Sequence, residues 1–583
     1  MTRSSSTSAT KIIEIFHIWS ASELPQNPTN GGTTMTSPLF SKSLKARVFG
    51  TLIFIALAMG WLRAQAQTTS GAVVSGTVTI DHGRVAAFRV KAKDTMRRIA
   101  YTVYTQKGRY NIYNLPAGHY EISVLEEGIE PLTQAVDLPA GKSVTANLNL
   151  RATAAAEERV GISGARAQEN YGGVRGSAKA TARIVDFDTL YPPGRGRDLI
   201  QLYCLGCHGP GGFHQRGFGN EATWRARVEK MFTRKSGILT DEPMIGTGVM
   251  SEEDKNTIIK YLADNFGPNS ESRDLAPDPI VRDEDALSRT IFVQYELPSP
   301  DEARTQGLGR AQRTTHDTFP SLITPGVVWV AGLGTNSILR VNTRDLDPAE
   351  RNKEYFVKDP RNIMLGVHGI IEIPGRVHWT ELMGDHLGEL DTNTGEIRRY
   401  AQPTKGGGHT PRADSKGNVW FTEVSGNGKI GRWDAQTKQI TEYDPVKGAN
   451  YYGVVVDKKD RVFVAGMTKK TLVMWDPKTQ AWSNLNPPSN VRRLALDSKD
   501  NVWACAYGNN SIIRVDANTL QMEEYRLPLK NGNPYAIYVD TEDNVWVENA
   551  VYNSFVMFDP RTKKFILSFP GTQRAHAKHG NGQ

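Results

Sequence analysis

Two of the chain's three cysteines stand in the five-residue stretch Cys204-Leu205-Gly206-Cys207-His208. Two thiols at this spacing, followed by an imidazole, can form two thioether bonds to haem c and leave the histidine to ligate its iron. A structural zinc half-site or a dithiol redox pair uses the same spacing, and so does chance, so the compartment and the surrounding elements decide. The third cysteine, Cys505, lies in the strand-like run Asn501-Val502-Trp503-Ala504-Cys505 and reads as a small buried hydrophobe. No disulfide framework follows from this arrangement.

Haem attachment requires export, and the N-terminus carries the signature of it. An apolar run over 48–62 follows Lys42, Lys45 and Arg47 and precedes Ala64-Gln65-Ala66, which reads as a signal peptide cleaved after Ala66. Residues 1–66 are therefore an N-terminal extension plus signal, with Met35 as an alternative start, and the mature protein is expected to be periplasmic or secreted. The run is short for a membrane span, so membrane association is expected only if the segment stays uncleaved. The net charge of +8 is the balance of 70 basic and 62 acidic residues. There is no long basic block and no interleaving of basic and aromatic residues, so no nucleic acid is expected as a partner. At 583 residues, with 54 Gly and 30 Pro, the chain should hold three or four domains rich in turns.

The haem motif needs helices to position it, and residues 186–267 provide them. Leu199 and Leu202 share a helical face just before Cys204. Trp224, Val228, Met231 and Phe232 form a stripe, and Ser251 with Glu253 and Asp254 starts a helix carrying Ile258, Ile259, Tyr261 and Leu262. An electron-carrying iron needs a second axial ligand, and Met231, Met244 and Met250 all compete on spacing. His214 is too close to His208 and reads as exposed. Trp224 to Met231, with Ile258 to Ala263 and Phe266, resembles the small class I cytochromes c. That resemblance implies Met231 as the axial ligand, with Met250 as the alternative, and a redox partner protein.

Before this segment, residues 72–150 alternate apolar and polar positions between turns, as in Tyr120-Glu121-Ile122-Ser123-Val124. Gly108-Arg109-Tyr110 followed by Leu115-Pro116-Ala117-Gly118-His119-Tyr120 resembles the carboxypeptidase regulatory-like domain. The resemblance implies a transthyretin-like β-sandwich without a catalytic role. His82 and His119 have no second ligand at metal-site spacing and read as surface or turn residues. Residues 151–182, rich in Ala, Gly, Arg and Ser, read as a linker.

The longest part, 290–570, repeats. Aromatic strand centres at Trp329, Trp379, Trp420, Phe463, Trp503 and Trp546 recur in steps of 50, 41, 43, 40 and 43 residues. Four short strands per unit make this a β-propeller of six or seven blades. Ile291 to Pro298 is expected as an extra outer strand that completes a blade from Phe565 to Phe569. The pattern Trp420-Phe421-Thr422-Glu423 with Ile430-Gly431-Arg432 resembles the streptogramin B lyase family, a seven-bladed propeller. In that family a histidine base beside a magnesium ion opens a cyclic depsipeptide by elimination. The resemblance implies His409 as the base, with His368 and Glu423 as magnesium ligands; a further acidic ligand is replaced here by Gly407. The other reading of His368 and His409 is that they contact a small-molecule ligand in the propeller channel. Glu381, Glu423 and Glu548 read as one ring of the repeat. His316, His378 and His386 read as incidental, and His576 and His579 as part of a polar tail.

The expectation is a multidomain, mainly β chain: a β-sandwich, a small all-α cytochrome c domain and a C-terminal propeller. Its function reads as haem-mediated electron transfer coupled to a ligand- or substrate-binding propeller. The alternative is a streptogramin lyase-like C–O lyase with an accessory haem domain.

Overall fold

A computed structural model describes Ile12–Ile13 and residues 71–126, 128–153, 183–204, 218–233, 250–271, 273–275, 282–298, 315–424, 428–529, 534–549 and 554–568. The signal segment, the linker, Cys207, His208, His214, Met244, His576 and His579 lie outside the described residues. Among the described residues, no helix is long and apolar enough to cross a membrane.

The N-terminal unit is built from β1 (Ala72–Ile80), β2 (Arg89–Asp94), β3 (Ile99–Tyr104), β4 (Arg109–Leu115), β5 (Gly118–Val124), β6 (Thr133–Leu138), β7 (Ser143–Thr145) and β8 (Leu148–Leu150). β4 pairs antiparallel with β1, which takes β7 and β8 in parallel on its other side. The second sheet runs β3–β2–β5–β6. Strict alternation places Tyr110, Ile112 and Leu115 of β4 and Tyr120 and Ile122 of β5 in a common core with Val74, Val90 and Leu148.

The sheet has one more strand than sequence reasoning placed there. β9 (Ile291–Glu296) pairs antiparallel with β3, Ile291 opposite Val103 and Tyr295 opposite Ile99, and Ile12–Ile13 pairs along its far edge. This corrects the expectation that Ile291 to Pro298 completes a propeller blade. The last blade already owns a fourth strand, Lys564–Ser568, whereas β3 offers an open edge that β9 satisfies.

Between β8 and β9 the chain makes three helices, α1 (Arg195–Tyr203), α2 (Glu221–Thr233) and α3 (Glu252–Asn265). Ser251 caps α3 by accepting from the Asp254 N–H at 3.1 Å. α1 crosses α3 where Gly196 meets the Tyr261 ring; a Cβ there would lie 2.4 Å from Tyr261 Cβ. Trp224 donates its indole N–H to Phe266 O at 3.0 Å. These contacts surround a core of Leu199, Ile200, Trp224, Ile258, Ile259 and Leu262.

The C-terminal part forms six four-stranded antiparallel sheets among the described residues, spanning 318–356, 367–401, 408–443, 451–484, 494–526 and 534–568, here called blades 1 to 6. Their inner hairpins share a sequence device. Asp414, Asp497 and Asp540 each accept from the backbone N–H of Asn418, Asn501 and Asn544 at 2.8–3.0 Å, closing the turn. The same aspartates receive the indole N–H of Trp420, Trp503 and Trp546 at 2.8–3.2 Å. Trp420, Phe463, Trp503 and Trp546 are thus register equivalents, paired with Arg412, Val455, Ala495 and Tyr538. Trp329 pairs with Phe319 and faces the next blade as they do, whereas Trp379 pairs with Ile370, one residue over, and packs back on blade 1.

The sandwich is packed against both the first and the last blade. Ile99, Tyr295 and Leu297 share a core with Val328, Val330, Leu339 and Val341 of blade 1. Tyr104, Leu287 and Phe292 close over Ile566 of blade 6. Arg351, fully buried, sends its guanidinium to Arg97 O at 2.6 Å, Leu346 O at 2.9 Å and Asp345 O at 3.1 Å. Arg351→Ala strips three half-buried carbonyls of their donor and empties a fully buried site, and is expected to cost about 3 kcal/mol. Chemical denaturation with fluorescence detection checks this; a loss under about 0.5 kcal/mol contradicts the role assigned to this contact.

Candidate functional site

The inner strands of the blades line the propeller axis, and four of the six begin irregularly. Pairing slips between Val367 and Ile370, Gly408 and Pro411, Tyr451 and Val454, and Pro534 and Ile537. A bulge of this kind re-aims the side chains it carries, and those carried here are His368, His409, Tyr452 and Tyr535. Blade 5 contributes Arg492 and Arg493 at the same level, their backbones bonded to Cys505 at 2.9 and 3.0 Å. Blade 1 contributes His316, just ahead of its first strand.

A repeated relay fixes these bulges. The N–H of Gly369 donates to Thr380 Oγ1 at 3.0 Å, and Thr380 Oγ1 donates to His409 O of the next blade at 2.5 Å. One blade on, Thr410 N–H donates to Thr422 Oγ1 at 3.1 Å, which donates to Tyr452 O at 2.6 Å. The blades approach so closely here that a Cβ on Gly369 would sit 2.0 Å from His409 O.

The result is a run of rings. His316 and His368 lie 3.6 Å apart between centroids, His368 and His409 4.0 Å, and His409 and Tyr452 3.9 Å. The Tyr452 and Tyr535 hydroxyls meet at 2.6 Å. The Arg492 guanidinium carbon stands 3.9 Å from the Tyr507 ring, 5.1 Å from Tyr452 and 5.5 Å from Tyr535. Arg493 reaches Asp317 at 3.2 Å.

Electrostatics follow from burial and from these arginines. Burial, with the neighbouring Arg493 charge and His316, holds His409 well below the usual histidine range. His368 is lowered likewise, by burial first and then by His316, His409 and Arg493. His409 Nδ1 lies 2.9 Å from Thr410 Oγ1 and 3.1 Å from Tyr452 O; in the tautomer that donates to Tyr452 O, Nε2 carries the lone pair.

The expected magnesium ligands His368 and Glu423 and the expected base His409 separate into two environments. His368 and His409 are brought together, whereas the Glu423 carboxylate takes the Lys429 N–H at 3.2 Å and faces Glu442 across the Thr404 hydroxyl, 3.4 and 2.9 Å from the two acids. Among the described residues no three His, Cys, Asp or Glu side chains form a group that could hold a metal ion. Two guanidiniums beside the histidines also oppose a divalent cation, so these residues do not fit magnesium.

Other expectations are revised as well. His316 is not incidental, because it stacks on His368. Glu381 and Glu423 are equivalents, facing Val367 and Gly408, but blade 6 places Asn549 rather than Glu548 at that position. Glu381 is held by Arg399 at 2.7 and 2.6 Å. His378 is buried beside Trp433, with Glu389 3.6 Å away, and burial pushes it down to about 3. His386 binds Gly384 O at 2.6 Å. Cys505 is fully buried in an apolar cluster.

Tyr452, Arg492 and Tyr535 carried a signal that went unread. Like His409, each lies eleven residues before its blade's aromatic centre, Phe463, Trp503 and Trp546 against Trp420 for His409. In the helical unit, Cys204 is half-buried at the end of α1 and packs on the core there, and Met250 is buried in that core. Met231 is half-buried on α2.

Residues 73–151 match the model of the carboxypeptidase regulatory-like domain. No curated protein matches the chain. Among solved structures, the virginiamycin B lyase of Staphylococcus aureus is 20% identical, covering 45% of this chain and 86% of its own, with a TM-score of 0.40. A streptogramin B lyase structure is 21% identical over 46% and 87%, with a TM-score of 0.41. The calcium-binding protein regucalcin of Agrobacterium tumefaciens is 11% identical over 40% and 82%, with a TM-score of 0.31. The propeller assignment rests on the six sheets themselves.

Glu423 generates a pH prediction. Burial, and then Glu442, raise its carboxyl to about 8, against 4.5 for an ordinary glutamate. The folded state therefore holds a proton that the unfolded state has lost, so this residue's contribution to stability falls as pH rises from about 4.5 to about 8. Glu423→Gln should raise Tm at pH 8 by a few degrees relative to its effect at pH 4.5. Calorimetry at both values decides; an equal effect at both overturns the assignment.

Proposed function

We propose that the chain is an exported c-type cytochrome whose electron transfer is coupled to a ligand bound at the mouth of the propeller channel. The observation that carries this reading is the approach of α1, the helix ending in Cys204, to the 3-10 turn Tyr507–Asn509. Tyr507 covers Arg492, so the helix that leads into the haem motif reaches the turn that packs on the arginine.

The residues of the helical unit fit a covalently held haem. Cys204, Cys207 and His208 would hold it, and Cys204 sits where α1 ends against an apolar core. Met231 is the proposed sixth ligand and Met250 the alternative. When bound, the group supplies a one-electron carrier. The chain's own residues position its site. The Gly196–Tyr261 crossing and the Trp224–Phe266 hydrogen bond lock α1, α2 and α3 together, and Tyr261 ties back to Pro192 O at 2.9 Å. A redox partner protein and a periplasmic or secreted location complete the reading.

A second reading, a C–O lyase with an accessory haem unit, is favoured by one detail. With its proton on Nδ1, toward Tyr452 O, His409 would have Nε2 able to take a proton from a substrate in the channel. Magnesium has no place in this version. Ring opening of a streptogramin that needs His409 and is indifferent to magnesium would favour it.

The haem reading is tested on protein recovered from the periplasm. A reduced-minus-oxidised spectrum with a c-type α-band and haem stain surviving denaturing electrophoresis are expected, both lost in Cys204→Ala/Cys207→Ala. Met231→Ala should abolish methionine ligation of the iron. Met250→Ala should keep it and cost about 2–4 kcal/mol of stability as a core truncation. Absence of any α-band contradicts the proposal.

A further inference from the structure

We infer that the channel mouth is a receptor for an organic oxyanion, a carboxylate or phosphate seated between Arg492, Arg493 and the Tyr452–Tyr535 hydroxyl pair. This rests on the reading of the propeller as the ligand-binding part and names the ligand's chemistry.

Two consecutive guanidiniums stand at the axis, 6% and 8% exposed. The planar fork of arginine matches the two oxygens of a carboxylate or phosphate, and in a site shielded from water such a charge-assisted pair is strong. Arg493 gives one arm to Asp317, but its Nε is buried with no hydrogen-bond partner. Buried donors of this kind are rare and call for an acceptor. Arg492 is steadied by the faces of Tyr452, Tyr507 and Tyr535, which attract a cation without cancelling its charge.

The neighbouring groups point the same way. His368, 4% exposed, has its Nδ1 buried without a hydrogen-bond partner. Both central histidines are held neutral, by burial first and with Arg493 adding to it. The charge that attracts an anion is that of the two guanidiniums themselves, beside these neutral rings. The stacked rings of His316, His368 and His409 offer flat faces to the body of such a ligand.

The test is calorimetric titration of the full-length haem-loaded protein with benzoate, phenyl phosphate, neutral benzamide and magnesium chloride. At least one of the two oxyanions is expected to bind, with benzamide at least tenfold weaker and magnesium silent. Benzoate alone assigns a carboxylate, phenyl phosphate alone a phosphate, and both assign the general class. Arg492→Gln and Arg493→Gln should each weaken binding at least tenfold, Arg493→Lys less, and Tyr452→Phe by a few fold. Circular dichroism melts of each variant identify any that fail to fold, and Arg493→Lys then carries the comparison. Equal binding of benzamide and benzoate, no binding of either oxyanion, binding of magnesium instead, or unchanged affinity in folded arginine variants overturns the inference. The visible spectrum of the same samples keeps the two claims apart. A missing haem band removes the cytochrome reading and leaves the titration standing, whereas a failed titration with the band present removes the oxyanion alone.

Discussion

The threonine relay between blades is the contact on which the channel depends. A bulged inner strand has a backbone N–H with no place in its own ladder, and the next blade has a carbonyl in the same position. Thr380 and Thr422, both fully buried, satisfy both groups at once by accepting from one and donating to the other. Each such bond contributes only about 1 kcal/mol net, but an orphaned buried partner costs about 1–3 kcal/mol. The relay therefore specifies geometry more than it adds stability. It fixes where His409 and Tyr452 begin, and with them the stack that crosses the axis.

The sandwich organises the rest. Because β9 returns to the edge of β3, the chain leaves the sandwich from β8 in one sheet and, after the helical unit, re-enters it in the other. The same sheet packs against blade 1 through Tyr295 and brings Phe292 and Tyr104 against blade 6. The sandwich thus packs on both the first and the last blade. Buried Arg351, bonded to the backbone of both the sandwich and blade 1, is the point where this arrangement is most exposed to mutation.

Much of this was legible in the chain. The period of the aromatic centres announced blades, alternation around Tyr110 and Tyr120 announced the sandwich, and the stripes ending at Phe266 announced three helices. What escaped was register. Trp379 looks like the tryptophans of the other blades, yet it packs back on blade 1 where Trp329 faces forward, because a one-residue shift along a strand turns the side chain to the other face. Ile291 to Glu296 has the composition of a blade's outer strand, and only the open edge of β3 decides its fate. At the site, histidines drew attention because their chemistry is familiar. Arg492, Arg493 and Tyr535 did not, since an arginine or tyrosine in a loop-flanked strand reads as surface until the axis is known. The acidic ring failed for the same reason: Glu548 and Asn549 differ by one position, and one step along a strand turns the side chain to the other face.

These parts lead to one thermodynamic statement. If α1 and the Tyr507 turn join haem motif and channel, an anion bound at the arginines must favour the oxidised iron, and by linkage the iron's oxidation state must change the anion's affinity equally. A tenfold difference in affinity corresponds to roughly 59 mV for a one-electron couple. The direct measurement is the midpoint potential of the haem with and without a saturating oxyanion, in wild type and in Arg493→Gln. A potential lowered by tens of millivolts in wild type only is the predicted result; a potential unmoved while the channel is saturated contradicts the account.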